Sequence, residues 1–127
     1  MVPEELWYTP EHEWVLPSAD GTGRVGITDY AATQLGDVVY LQLPLVGTSV
    51  TRGEPVGEVE STKSVSEVFA PVTGEVVARN DTLDDNPELL NSDPYGEGWM
   101  IEIKLTETSE MDFLLSAEDY RSLIEQV

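Results

Sequence analysis

GEPVGEVESTKSVSEVFAPVTGEVVAR, running from Gly53 to Arg79, is the stretch whose reading decides the fold. Two runs within it, Val56 to Glu60 and Ser64 to Phe69, mix valine with polar residues in the manner of half-buried strands. Ser61, Thr62 and Lys63 lie between them. Hydroxyl side chains in that position can hydrogen-bond nearby backbone groups, which suits a tight turn. The pattern predicts Lys63 at or beside a hairpin tip. Glu54, Glu58, Glu60 and Glu67 surround it, and Lys104 is the only other lysine in the chain. An enzyme that must modify one amine would meet almost no competing target. Spacing alone also fits a solvated turn lysine paired loosely with its glutamates, and does not choose between the two.

Two glycine-centred units bracket the lysine, Gly53-Glu54-Pro55-Val56-Gly57-Glu58-Val59 before it and Ala70-Pro71-Val72-Thr73-Gly74-Glu75-Val76-Val77 after it. Each reads as turn then strand. Two such units around a tip lysine resemble the biotinyl and lipoyl carrier fold, in which two similar halves form a flattened β structure with the modified lysine exposed. Biotin carriers usually set the lysine between methionines, and lipoyl domains of 2-oxo acid dehydrogenases favour an aspartate just before it. Here Thr62 and Ser64 flank it. Glu60-Ser61-Thr62-Lys63 instead resembles the site of the glycine cleavage H-protein family.

Other phrases carry the same resemblance in the family's order. His12-Glu13-Trp14 matches a typical opening, inside an aromatic and polar stretch from Trp7 to Val15 that reads as an edge strand and its lead-in. His12, the sole histidine, has no nucleophile in a recognisable triad context, so a structural hydrogen-bonding role is expected. After a turn at Ala19 to Gly23, Arg24 to Thr28 reads as a strand, and Thr28 or Asp29 can cap a short helix carrying Tyr30, Ala31, Gln34 and Leu35. Gly36 is placed to end it. Val38 to Leu43 returns to strand, with Val39, Leu41 and Leu43 on one side and Val38, Tyr40 and Gln42 on the other. Gly26 to Asp29 and Leu35 to Val39 again resemble the family, although many members carry a histidine where this chain has Gln34.

Asn80 to Asn86 reads as a polar connection, and Pro87 as the start of a short helix through Leu90. Asn91 to Trp99 is turn-rich and similar to a family phrase. Trp99, Ile101, Ile103 and Leu105 alternate with Met100, Glu102 and Lys104, predicting a strand with one core face and Lys104 on its polar face. Met111, Phe113, Leu114 and Leu115 suggest a short helix. Ser116 can cap a last helix whose stripe is Ala117, Tyr120, Ile124 and Val127.

The 127 residues suit one domain, 1–127, with a lipoyl hairpin at about 53–79 and C-terminal helices at about 107–127. With 25 acidic against 6 basic residues and a net charge of -19, the surface repels nucleic acid and anionic membranes, so neither is expected as a partner. Partners with basic rims suit it better. There is no cysteine, so any thiol chemistry must arrive on a prosthetic group. Neither a signal nor a transit peptide is legible, and a cytoplasmic monomer is expected; the mature form of a mitochondrial protein would read the same.

The resemblance, from about Trp7 to Tyr120, implies a mostly β fold with small helices, a lipoyl/biotinyl-type barrel-sandwich hybrid with a C-terminal helical extension. It implies a non-enzymatic carrier holding lipoate on Lys63 as N6-lipoyllysine, with Glu60, Ser61, Thr62 and Ser64 as flanking recognition residues. Its implied partners are the PLP-dependent glycine decarboxylase (P protein), the tetrahydrofolate-dependent aminomethyltransferase (T protein), dihydrolipoamide dehydrogenase (L protein), and a lipoate ligase or octanoyl/lipoyl transferase. The aminomethyl group of glycine would pass from the first to the second, and reducing equivalents to the third. A loaded aminomethyl thiol is open to hydrolysis, so a sheltering groove is expected. Glu11, Glu13, Gln34 and Glu67 are its candidate lining, the acidic ones because a protonated amine is favoured beside carboxylates. Each taken singly also reads as an ordinary surface residue. An H-like lipoate relay, an acyltransferase-linked lipoyl domain, an unmodified interaction module and a carboxylate hydrolase are the other functions weighed. Paired acids in an acidic chain need no catalytic explanation.

Overall fold

The computed structural model describes residues 2–125. Among these residues nine strands form two sheets. They are β1 (Trp7–Tyr8), β2 (Glu13–Pro17), β3 (Thr22–Ile27), β4 (Val38–Gln42), β5 (Ser49–Val50), β6 (Pro55–Ser61), β7 (Val65–Phe69), β8 (Gly74–Arg79) and β9 (Ile101–Leu105). The larger sheet has the order β1-β2-β3-β9-β8-β5 and the smaller one β4-β6-β7, with every pairing antiparallel. The sheets stay open, so the expected barrel-sandwich hybrid is on its sandwich side and no barrel closes. Helices are short: α1 (Asp29–Leu35), α2 (Thr82–Asp85), α3 (Leu89–Ser92), a 3-10 turn over Thr108–Phe113, and α4 (Ala117–Glu125). Among the described residues no helix is long and apolar enough to cross a membrane.

The core divides in a way that locates the lysine. Val15, Val25, Val76, Ile101 and Ile103 fill the space under the large sheet. Ile27, Leu41, Val59, Val68, Leu83 and Leu90 join the small sheet to β3 and the helices. Leu43 and Val56 pack against both clusters, which fuses the two layers. Within the stretch 53–79 only β6 and β7 pair with each other; β8 lies in the other sheet, between β9 and β5. The two glycine-centred units therefore supply one strand to each layer.

Helices form where the sequence predicts them when a side chain closes the end. Thr28 Oγ1 accepts from Ala31 N at 3.2 Å, and Gly36, with φ +81°, ends α1 through its N–H to Ala32 O. Ser116 Oγ accepts from Asp119 N at 3.1 Å at the start of α4. Of the expected α4 stripe, Ala117 and Tyr120 are buried, Ile124 packs beside them, and Val127 lies outside the described residues. Asn80 to Asn86 is not merely a connection, because α2 forms within it around buried Leu83.

Three expectations fail for identifiable reasons. In β4 a bulge between Val38 and Tyr40 breaks the alternation, so Val38 and Leu41 are both buried while Val39 and Tyr40 are both exposed. β9 starts only at Ile101, because the Asn80 amide donates to Glu97 O and Trp99 O, each at 2.8 Å, and holds that approach as loop; Met100 is buried instead of on a polar face. The 3-10 turn stops at Phe113, which is exposed beneath the Arg52 guanidinium, and Leu115 runs as an extended residue that exchanges backbone hydrogen bonds with Tyr8 at 2.9 and 2.7 Å.

That last contact covers the β1 edge and brings α4 against it. Tyr8 and Tyr120 stack with centroids 4.6 Å apart, and the Tyr120 hydroxyl lies 2.7 Å from His12 Nδ1 and 2.8 Å from Thr28 Oγ1. One phenol thus ties the terminal helix to the turn before β2 and to the cap of α1. Tyr120→Phe keeps the stack and leaves buried Thr28 and half-buried His12 short of a partner, so it should cost about 1–3 kcal/mol. Urea unfolding would register this as a lower midpoint with an unaltered slope.

Candidate functional site

The turn joining β6 to β7 is built from below by a serine. Ser61 is buried, its N–H donates to Ser64 O at 2.8 Å, and its hydroxyl accepts from Ser64 N at 3.1 Å and from Lys63 N at 3.3 Å. The same hydroxyl donates to Ser64 O at 3.2 Å. Ser61 is therefore the inner strut of the turn, while Glu60, Thr62 and Ser64 are exposed around it. A second support comes from outside the hairpin: Thr62 N donates to Asp37 O at 3.0 Å. Asn91 fixes that junction in turn, accepting from Val38 N at 2.9 Å and donating to Gly36 O at 2.8 Å.

Lys63 stands exposed on this supported turn. Among the described residues no ion pair ties its amine to the surrounding glutamates. Its stem passes over Gly36, where a Cβ would come within 3.0 Å of Lys63 Cε. Lys104 differs in kind, since it belongs to β9 and its Nζ donates to Asp20 O at 2.8 Å. Only one of the two lysines has both a fixed backbone and an uncommitted amine.

A cleft of about 410 Å³ opens beside the turn, with Ser64 and Val65 on its wall. Glu11, Glu13, Gln34 and Glu67, the four residues expected to line a groove, all border it, though they come from the turn before β2, from β2, from α1 and from β7. His12 and Tyr30, which sequence reasoning did not assign there, border it too, their rings 4.8 Å apart. His12 has φ +74°, held by its N–H to Thr9 O and by Thr28 N donating to its carbonyl. Burial lowers its imidazole pKa, against a smaller upward pull from Glu11.

Glu13 is not an ordinary surface residue. It is 2% exposed, accepting from the Thr9 hydroxyl at 2.6 Å and from Phe69 N at 3.2 Å. Burial pushes its carboxyl up to about 7; the two hydrogen bonds pull down, and the negative charge of Glu11 adds to the rise. The cleft thus has carboxyls at three positions, one poised to change charge near neutrality. This space suits a slender, mostly apolar chain ending in a cation.

A lysine offered on a clamped turn next to an acid-lined cleft is what a carrier of a swinging group needs, and comparison with known proteins points to the same role. The family described as Glycine cleavage H-protein matches residues 6–127. The glycine cleavage system H protein of Mycolicibacterium vanbaalenii is 60% identical over 125 residues, covering 95% of each chain. That of Mycolicibacterium smegmatis is 56% identical over 126 residues, covering 97% of this chain and 96% of the relative. Among solved structures, the glycine cleavage system H protein from Mycobacterium marinum superposes with a TM-score of 0.86 at 43% identity, covering 95% of this chain and 97% of that one. Sequence and shape agree over nearly the whole length, and the chain belongs to the glycine cleavage H-protein family.

Proposed function

We propose that the chain is a single-domain carrier of the glycine cleavage system, with lipoate attached through an amide at Lys63. The observation that carries this reading is the contrast between a turn fixed by Ser61, Asp37 and Asn91 and an exposed amine that has no ion pair among the described residues. Attachment needs a neutral amine: Lys63 Nζ displaces the adenylate oxygen or carrier sulfur from an activated acyl group, one N–C bond forms, and the amine's surplus proton leaves to a base. Loss of that cation takes the net charge from -19 to -20. If lipoate is bound, its dithiolane would supply the group-transfer and redox chemistry, and the protein would supply its position. Glycine decarboxylase, aminomethyltransferase and dihydrolipoamide dehydrogenase are the partners it would visit.

The protein's own residues supply position and shelter. Gly36 leaves a path for the lysine stem, and Ser64 and Val65 lead from the turn into the cleft. A cationic amine arriving there meets Glu11, Glu13 and Glu67. Its charge lowers the Glu13 pKa, so the carboxyl gives up its proton and gains an attractive partner out of bulk water. Val59, Val68 and Ile27 line the same space and limit water access.

Peptide mapping of protein from native cells should find lipoylation at Lys63 and none at Lys104. Lys63→Arg should abolish both the modification and glycine-dependent electron transfer in the reconstituted system, while Lys104→Arg retains both. Turnover by the Lys63→Arg chain would overturn the reading. The cleft is tested by timing ammonia release from loaded protein. Glu13→Gln and Glu67→Gln should shorten the lifetime several-fold, on the order of the 1 kcal/mol that a partly screened charge contact supplies. Unchanged lifetimes would remove the sheltering role.

The Glu13 carboxyl also predicts a pH dependence of stability. Its folded value near 7 exceeds the ordinary 4.5, so the folded protein binds more protons between them and stability falls as pH rises. The favourable contribution is complete below about 4.5 and lost above about 7. Glu13→Gln should cancel this slope, so the variant gains relative to the parent by on the order of 3 kcal/mol between those pH values. Parallel denaturant curves at several pH values would reveal it.

A further inference from the structure

The small sheet presents a face that the fold leaves exposed and that shares only Val65 and Glu67 with the cleft. Register sets Tyr40 opposite Glu60 and Glu60 opposite Val65, so these three stand abreast across β4, β6 and β7. Gln42, Glu58 and Glu67 form the next row. Tyr40 is 56% exposed and Val65 59% exposed, and the bulge turns out Val39 as well, at 51%. Scattered exposed apolar residues are ordinary. Three together beside a turn that holds a functional lysine, in a strand bent by an inserted residue, are not. Bulges recur next to functional sites because they re-aim side chains. The only charges on the two rows are carboxylates.

We propose that Val39, Tyr40 and Val65, framed by Glu58, Glu60 and Glu67, form the seat for the enzyme that acylates Lys63, whose complementary face is an apolar pocket with a cationic rim. The inference rests on Lys63 being the attachment site. Reach selects this partner over those that meet the loaded arm. Before acylation the amine extends only the length of four methylenes from the turn, so the acylating enzyme must cover the surface around it. A standard interface takes about 800 Å² per partner, a disc of roughly 16 Å radius. Glu60 is three residues from Lys63, about 10 Å at strand rise, and its neighbours across the sheet are about 5 Å further. The row therefore falls inside any footprint centred on the amine. An exposed tyrosine at such a place is the kind of anchor that dominates interface energetics, and the carboxylate frame would speed and orient encounter with a basic rim.

The test uses the full unmodified chain, the purified acylating enzyme of the same organism and its activated acyl donor, with attachment followed by intact mass. Val39→Ser/Tyr40→Ser should raise KM by ~10-fold or more with kcat within about twofold, as expected for loss of a docking anchor. Glu58→Gln/Glu67→Gln should raise KM several-fold at low salt and flatten its salt dependence. Leu45→Ser/Val46→Ser, on the exposed loop held to β8 by Gly47 N to Val76 O, should behave as the parent. Melting curves identify variants that fail to fold, and Val65→Ser, on a separate strand, provides the second reading of the same seat. Unchanged KM in folded Tyr40 and Val65 variants overturns the seat. Peptide mapping separates the two claims: label found away from Lys63 in the parent chain overturns the attachment site itself, whereas label on Lys63 with the parental KM in every variant overturns only the docking surface.

Discussion

A backbone held still beneath a side chain left free is the constraint on which the rest of this structure depends. A three-residue turn has little stability of its own, because fixing each residue costs about 1–2 kcal/mol of conformational entropy. Here the cost is offset by hydrogen bonds drawn from three separate parts of the chain. The Ser61 hydroxyl accepts from two turn amides, the Asp37 carbonyl takes a third from Thr62, and Asn91 on α3 secures the segment carrying Asp37. None of these bonds involves the Lys63 amine. The turn becomes part of the tertiary structure without engaging the atom it presents.

The helical additions acquire a purpose from the same geometry. α3 exists where it does because Leu90 enters the core, and its Asn91 then reaches the α1–β4 junction. α4 covers the first strand and delivers the Tyr120 hydroxyl to His12 and Thr28, one bordering the cleft and the other capping the helix that forms its opposite side. A compact carrier hairpin alone would have no such wall. Extending the fold at its C-terminus converts an exposed tip into a tip with a neighbouring shelter, and Glu13 can be buried there because Thr9 and the Phe69 amide satisfy both carboxyl oxygens.

Much of this was legible in the sequence, and the failures share a cause. Lys63 at a turn followed from two valine-rich runs and the hydroxyls between them, and the caps at Thr28 and Ser116 followed from local chemistry. These features are decided within a few residues. Ser61 was expected to be recognised from outside, yet it is buried under the turn, since whether a serine faces in or out depends on the strand register. The β4 bulge, the late start of β9 and the burial of Met100 depend on distant partners, Ser61 for β4 and Asn80 for β9, which no local period announces. Glu11, Glu13, Gln34 and Glu67 do meet at one cleft, but only the fold reveals that Glu13 is its buried member and that His12 and Tyr30 accompany it.

The excess of carboxylates has a structural role beyond steering. β7 is an edge strand, with Val65, Ser66 and Glu67 exposed next to the tip, and an open edge invites pairing with a second copy. An exposed apolar row and strand edge beside the Lys63 turn need a barrier to self-association. Glu58, Glu60 and Glu67 supply one on the spot, and the net charge of -19 extends it over the molecule. The barrier is selective, since like-charged copies repel while a basic partner is attracted. Acylation of Lys63, as proposed, would strengthen it by removing the cation at the tip. The same charge distribution therefore opposes pairing at the edge and favours approach by an oppositely charged surface.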